Sequence, residues 1–333
     1  MKENQKNKNK SKKRKHEMKR FRYVLWLWIC LLSVPGHAQF MGDPREKFSL
    51  TATVDGNTNT DYTWKAKHDG ERLAGGRMEN GVNVRLRSSI SVVSNKLFSV
   101  SITPFYHFST REFQTNWGAE RLGFQLPSAH HHYGSSIMAT YNMMAWGNPL
   151  TFMGMGTANF SQYGYENVSG ILGGMVAVTR NQKTFLGLGA ICLLGTSVNW
   201  PLFPLFIYTH KFDNRWSISC MEVNNYLYYQ VSPKVKCSVG MELETDKYYF
   251  RPHVEELPKK AQLNLVYERF GVFADVQATK DISMNVGLGV NVPFYGRLRE
   301  SGYAHDYMLL RDHVKPFLKM SLKYSLKRAP VMR

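Results

Sequence analysis

The sequence predicts an all-β fold, a transmembrane antiparallel up-and-down β-barrel of about fourteen strands, with twelve as the alternative count. Three observations predict it. From Ile282 to Phe294 every second residue is large and apolar, and the residues between them are small or polar. A strand sends successive side chains to opposite faces, so this segment has one greasy face and one slim polar face. At ~3.3 Å per residue it is about 40 Å long, whereas soluble strands have a mode of ~5–6 residues. Second, the pattern recurs. Val82, Val84, Leu86, Ile90 and Val92 alternate with polar residues that include Arg85 and Arg87. Val235, Cys237, Val239, Met241 and Leu243 alternate with residues that include Glu242 and Glu244, and Leu318 to Leu326 alternate with Lys319, Ser321, Lys323 and Ser325. Charges between lipid-sized apolar residues suit a wet lumen. Third, long and short connections alternate along the chain, as outer loops and inner turns do in such barrels.

The N-terminus comes first in order. Residues 1–22 carry 11 Lys and Arg against 2 Glu, a local charge of +9, ahead of the apolar run Tyr23–Val34. With Gly36-His37-Ala38 before Gln39, this reads as a secretory signal over 1–38, cleaved near Ala38. The lysine-rich lead is long for a signal, so Met18 is an alternative start. The apolar run is too short to span a bilayer as a helix, and no later segment has the ~18 apolar residues that a spanning helix needs. Subtracting +9 from the chain's +18 leaves +9 on the mature part, which gives no argument for a nucleic-acid partner. Cys30 follows Ile29, where a lipoprotein signal needs a small residue. Cys192, Cys220 and Cys237 form an odd set at no metal-ligand spacing and read as small hydrophobes.

After a short segment over 39–46, a single barrel domain is expected over 47–326, followed by a tail over 327–333. Its strands are expected at 47–55, 81–93, 97–108, 133–146, 150–161, 170–179, 184–194, 203–211, 215–221, 226–231, 234–250, 261–279, 281–297 and 313–326. Ser94-Asn95, Asn148-Pro149, Asn181-Gln182, Asp213-Asn214, Ser232-Pro233 and Lys280-Asp281 supply turn chemistry. The links after odd strands, 56–80, 109–132, 162–169, 195–202, 222–225, 251–260 and 298–312, are longer than those after even strands except for 222–225, which places both termini in the periplasm. The stretch 215–231 is weakest. Its two short strands become one bulged strand in the twelve-strand alternative. Aromatic residues near strand ends, such as Trp146, Tyr163, Tyr165, Trp200, Trp216, Tyr248 and Tyr249, suit interfacial girdles.

Gln39 after the signal, this strand grammar and the segment Pro204–Trp216 resemble the uncharacterised outer-membrane β-barrel families of Gram-negative bacteria, the domains of unknown function. The resemblance implies a fold and a place in the cell outer membrane, and it carries over no catalytic residue.

The first candidate site is the lumen. Arg85, Arg87, Lys319 and Lys323 are expected at the seam, with Glu242, Glu244 and Glu268 a few strands away, either as opposed bands of pore charge or as a salt-bridged plug. The second is His107-Phe108-Ser109. Its spacing resembles the His-x-Ser of lipid A deacylases, with Glu112 or Glu120 as an orienting acid. It lacks the following Asn, and the strand phase points both side chains inward, away from lipid. The third, His130-His131-His132, reads as a solvated external loop rather than a metal site, since no Cys or carboxylate completes it. The expected function is a passive channel or small-solute uptake pore, not an enzyme, with no cofactor and no metal. Outer-membrane lipid, the barrel-assembly machinery and small solutes are its expected partners. The alternatives are a lipid-modifying enzyme built on His107 and Ser109, and a structural or adhesive barrel with a closed lumen.

Overall fold

The computed structural model describes residues 46–327 except 68–69, 196–200, 222–223, 256 and 304. The expected signal over 1–38 and Trp200 lie outside the described residues. Along the chain come β1 (Glu46–Asn57), β2 (Thr60–Ala66), β3 (Arg72–Ser94), β4 (Phe98–Trp117), one helical turn α1 (Ala119–Leu122), β5 (Ala129–Ala145), β6 (Asn148–Ser161), β7 (Gly164–Arg180) and β8 (Thr184–Leu194). They are followed by β9 (Leu202–Lys211), β10 (Trp216–Met221), β11 (Asn224–Ser232), β12 (Val235–Phe250), β13 (Ala261–Gln277), β14 (Ile282–Glu300), β15 (Asp306–Asp312) and β16 (Lys315–Lys327).

All neighbours pair antiparallel in one closed sheet. β1 and β2 both run along β3, and β15 and β16 both run along β14. Each pair is one wall strand with a short break. The seam closes where β1 meets β16 and β2 meets β15. Counted this way the barrel has fourteen strands. The twelve-strand alternative is corrected. β10 and β11 pair with each other from Trp216↔Tyr229 to Met221↔Asn224, so they are two strands, each also paired to its outer neighbour.

The alternation has the meaning the sequence suggested. Leu318, Met320 and Leu322 are more than half exposed on the outer face, while Ser325, Asn83 and Ser238 are buried within. At one end the connections are tight and share a device. The side-chain carbonyl or carboxylate oxygens of Asn95, Asn181 and Asp213 accept amide hydrogens from the residues two and three positions on. The hydroxyls of Ser232 and Thr279 do the same. Hydrogen bonds from the amides of Trp216 and Arg215 hold the Asp213 carboxyl below the usual carboxylate range. One turn is displaced from expectation. Trp146 and Gly147 make it, at φ 51° and 77°, and Asn148 and Pro149 already pair in β6.

At the other end most of the expected long loops are extended hairpins. The stretch 56–80 holds β2 and the start of β3, 109–132 holds the end of β4 with α1 and the start of β5, and 162–169 shrinks to a two-residue turn. Here the pattern inverts. Tyr62, Trp64 and Met78 point inward and are buried, while Asp61 and Arg77 point outward and are exposed. Beyond the bilayer the outer face meets water, so the apolar face turns in. With Leu122, Tyr248, Phe250, Leu263, Leu265, Leu298 and Leu310, these residues form a hydrophobic core that fills this end.

Candidate functional site: a divided lumen

The lumen has a polar half and an apolar half. The polar half is built by inward residues of β1, β3, β4, β12, β13 and β16. Arg85 Nη1 lies 2.6 Å from Asp55 Oδ1, and its Nη2 lies 2.9 Å from Glu244 Oε1 and 3.0 Å from Asp246 Oδ1. Arg111 Nη2 reaches Asp246 Oδ2 at 3.2 Å. Arg269 donates to Asp55 Oδ2 at 2.8 Å, Glu244 Oε2 at 3.2 Å and Asn291 Oδ1 at 3.0 Å. Lys319 Nζ is 2.8 Å from Glu242 Oε1, and the Tyr226 hydroxyl donates to Glu242 Oε2 at 2.9 Å. Four cationic and four anionic side chains interlock across the interior. Charges removed from water survive only when paired and hydrogen-bonded, and here Arg85 and Arg269 each bridge more than one carboxylate.

The apolar half is the inner face of β8 and β9 and of the parts of β6 and β7 below a small polar group, Asn159, Ser161 and Glu166, at their outer ends. Met153, Ile171, Met175, Ile191, Leu193, Phe203, Leu205 and Ile207 point inward and are buried, while Leu172, Leu188, Leu202 and Phe206 on the same strands are exposed outside. Both faces of this part of the wall are therefore apolar.

The outer part of β12, still paired with β13, parts from β11 and lies against inward residues of β5 and β7. The Tyr249 amide donates to His130 Nε2 at 3.4 Å, and its ring centroid is 5.3 Å from that of His132. Arg251, just past β12, reaches Glu166 of β7 at 2.8 Å.

The structure brings Arg85, Lys319, Glu242 and Glu244 together, so the seam cations meet the acidic set directly. Lys323 pairs instead with Glu46 at 3.1 Å, and Arg87 is exposed in the interior nearer the turns. Glu268 is corrected. It sits opposite Leu243 and Val292, on the outward phase, and Arg269 is the luminal residue of that segment. His107 and Ser109 face inward and are buried, as the strand phase required, beside Arg85 and Asn83 in register. His130-His131-His132 is a second correction. These residues begin β5 rather than forming a loop, with His130 and His132 buried inside and His131 Nδ1 2.8 Å from the Tyr106 hydroxyl on the other face. Among the described residues no group of three or more His, Cys, Asp or Glu is placed to hold a metal ion.

Sequence reasoning missed Asp55, Arg111, Asp246 and Arg269, and it missed the apolar half entirely. A signal was present for both. Asp55 and Asp246 continue the polar phases Thr51-Thr53 and Glu242-Glu244. Thr184–Leu194 and Leu202–Tyr208 carry no charged residue on either face.

Residues 88–324 match the family model described as a domain of unknown function, DUF6268. The chain belongs to this family. The DUF6268 segment runs from within β3 to within β16, so it holds the whole apolar wall and every member of the ion-pair cluster except Asp55 and Arg85. No curated protein sequence matches the chain. Among solved structures, an outer membrane channel from Pseudomonas putida F1 is similar over 85% of this chain and 98% of its own, at 11% identity and a TM-score of 0.42. A FadL homologue of Pseudomonas aeruginosa is similar over 88% and 95%, at 9% identity and a TM-score of 0.39. The outer membrane protease OmpT from Escherichia coli is similar over 84% and 97%, at 8% identity and a TM-score of 0.30. Likenesses this distant add nothing to what the strand pairing shows. The chain is an outer-membrane-type β-barrel of a family without assigned function.

Proposed function

We propose that this DUF6268 barrel is an outer-membrane uptake protein for small apolar or amphipathic solutes rather than an open aqueous pore. The observation that carries the reading is the apolar inner face of β8 and β9 and of the adjoining parts of β6 and β7. A water-filled barrel keeps its inner face polar, and an apolar constriction sheds water. A lumen with one greasy wall, and with the opposite wall occupied by interlocked ion pairs, suits a solute that water would not accompany.

The barrel held in nanodiscs is expected to bind tritiated dodecan-1-ol above the level of empty nanodiscs. Ile191→Glu sets a charge into that wall and is expected to weaken binding about tenfold or more. In a planar bilayer the protein is expected to carry no sustained ohmic current. A steady current without dodecanol binding would return the lumen to the aqueous-pore reading. Ser109→Ala is expected to leave lipid A unchanged in mass, since Ser109 is 1% exposed on the inner face. A Ser109-dependent change in lipid A would favour an enzyme instead.

A further inference from the structure

β11 hydrogen-bonds to β12 only as far as Asn225↔Met241, while β12 continues to Phe250 paired, among the described residues, with β13 alone. A bare strand edge finds no partners in hydrocarbon, so it must lie within protein or against water. Here the inner face of β5 shelters it, through His130 and His132. One face of β12 therefore changes surroundings along its length. Its odd-numbered residues meet the bilayer at Val239, which is 53% exposed, and the barrel interior at Tyr249, which is 0% exposed. Met241, Leu243, Thr245 and Lys247 lie between them on the same face.

The lower end of this track lies on a shallow apolar face on the membrane side, where Val239, Met241, Phe270, Val272 and Leu288 surround the backbones of Gly240, Gly271 and Gly289. At the upper end stands Lys247, with no carboxylate within ion-pair distance among the described residues. The seam lysines Lys315, Lys319 and Lys323 each lie within 3.1 Å of one. Lys247 is only partly exposed, and its ammonium at the end of an apolar track lacks the counter-charge that a carboxylate would supply. Eight strand residues separate Val239 from Lys247, about 26 Å at ~3.3 Å per residue, which is room for one extended acyl chain.

We propose that this face of β12 binds a single-chain carboxylate amphiphile that enters sideways from the bilayer. Its head rests on Lys247, and its chain lies along Thr245, Leu243 and Met241 toward Val239. The inference rests on the uptake reading and deepens it by naming the solute's polar group and its door.

The test uses the whole barrel in zwitterionic nanodiscs, with tritiated laurate and dodecan-1-ol as probes. Wild type is expected to hold laurate about tenfold or more tightly than dodecanol, the preference that one charge-assisted contact supplies. Lys247→Met is expected to erase that preference and leave dodecanol binding intact, and Lys247→Arg is expected to keep it. Val239→Trp on the lipid face reports the route: stearate brominated at its far end, a chain long enough to lie along this track, is expected to quench this indole, and much less so when Lys247→Met is added. If Lys247→Met binds laurate as wild type does, or if quenching ignores Lys247, the inference falls while the uptake reading stands. If wild type binds neither probe, the uptake reading itself falls.

Discussion

Arg269 is 1% exposed and bridges Asp55 and Glu244, with Asn291 on its Nε. Replacing it with Met would remove one of the two guanidinium groups that Asp55 and Glu244 share and leave Arg85 alone between them. Removing one partner of a buried pair costs about 3–5 kcal/mol, more than the pair itself contributes, because the stranded charge stays desolvated. Arg269→Met is therefore expected to lower urea resistance by that amount in detergent, followed by tryptophan fluorescence. Adding Asp55→Asn is expected to recover part of the loss, since the two sites are in contact and couple. Glu268→Gln is expected to be silent within about 0.5 kcal/mol, because its side chain lies on the outward phase. Equal damage from Glu268→Gln and Glu242→Gln would show that the β13 phase is wrong. The luminal roles of Arg85, Glu242 and Lys319 were legible because large apolar residues flank each of them on its own strand, and Glu244 continues the phase of Glu242. Glu268 was not. Ala261–Gln277 has apolar residues on both phases, with Leu263, Leu265 and Phe273 inward and Phe270 and Val272 outward, so its alternation carries no direction.

At the scale of elements, the strands that alternation revealed separate two different media, lipid outside and polar lumen inside. Where the media change, the pattern failed. β2 and β15 lie beyond the bilayer, with water outside and a hydrophobic core inside, so their phase is inverted. β8 and β9 have apolar surroundings on both sides and show no phase at all. The three glycines of β12, β13 and β14 face one another as Gly240↔Gly271↔Gly289. A Cβ at Gly289 would fall 2.0 Å from the Phe270 carbonyl oxygen, and one at Gly240 would fall 2.1 Å from that of Asn225. The strands coil too tightly there for any side chain. Gly289→Ala is expected to abolish the compact species that migrates differently before and after boiling. Gly156→Ala, whose added carbon would meet nothing within 4 Å, is expected to leave it unchanged. Equal behaviour of the two variants would remove the packing role assigned to the glycine row.

For the whole molecule, closure makes topology testable without reference to any single contact. The tight turns at Asn95, Asn181 and Asp213 share one end with both ends of the described chain, and the hairpins after β2, β4 and β14 share the other. Exposed tips tolerate insertions because little packed backbone is disturbed. An epitope placed after Gly70, Arg121 or Gly302 is expected to be stained on intact cells. One placed after Asn181 is expected to appear only once the outer membrane is permeabilised. Staining of the Asn181 epitope alone on intact cells would invert the barrel.

By itself the sequence determined the strand period, the lipid-facing residues and the even strand count, because a bilayer imposes its demand on each residue separately and needs no partner to do so. Only the tertiary structure decided which charges meet, which wall of the lumen is greasy and where β12 parts from β11. Those outcomes join residues as far apart as Arg269 and Asp55, 214 positions along the chain, and they depend on the register in which the last strand closes on the first. No local pattern carries that information.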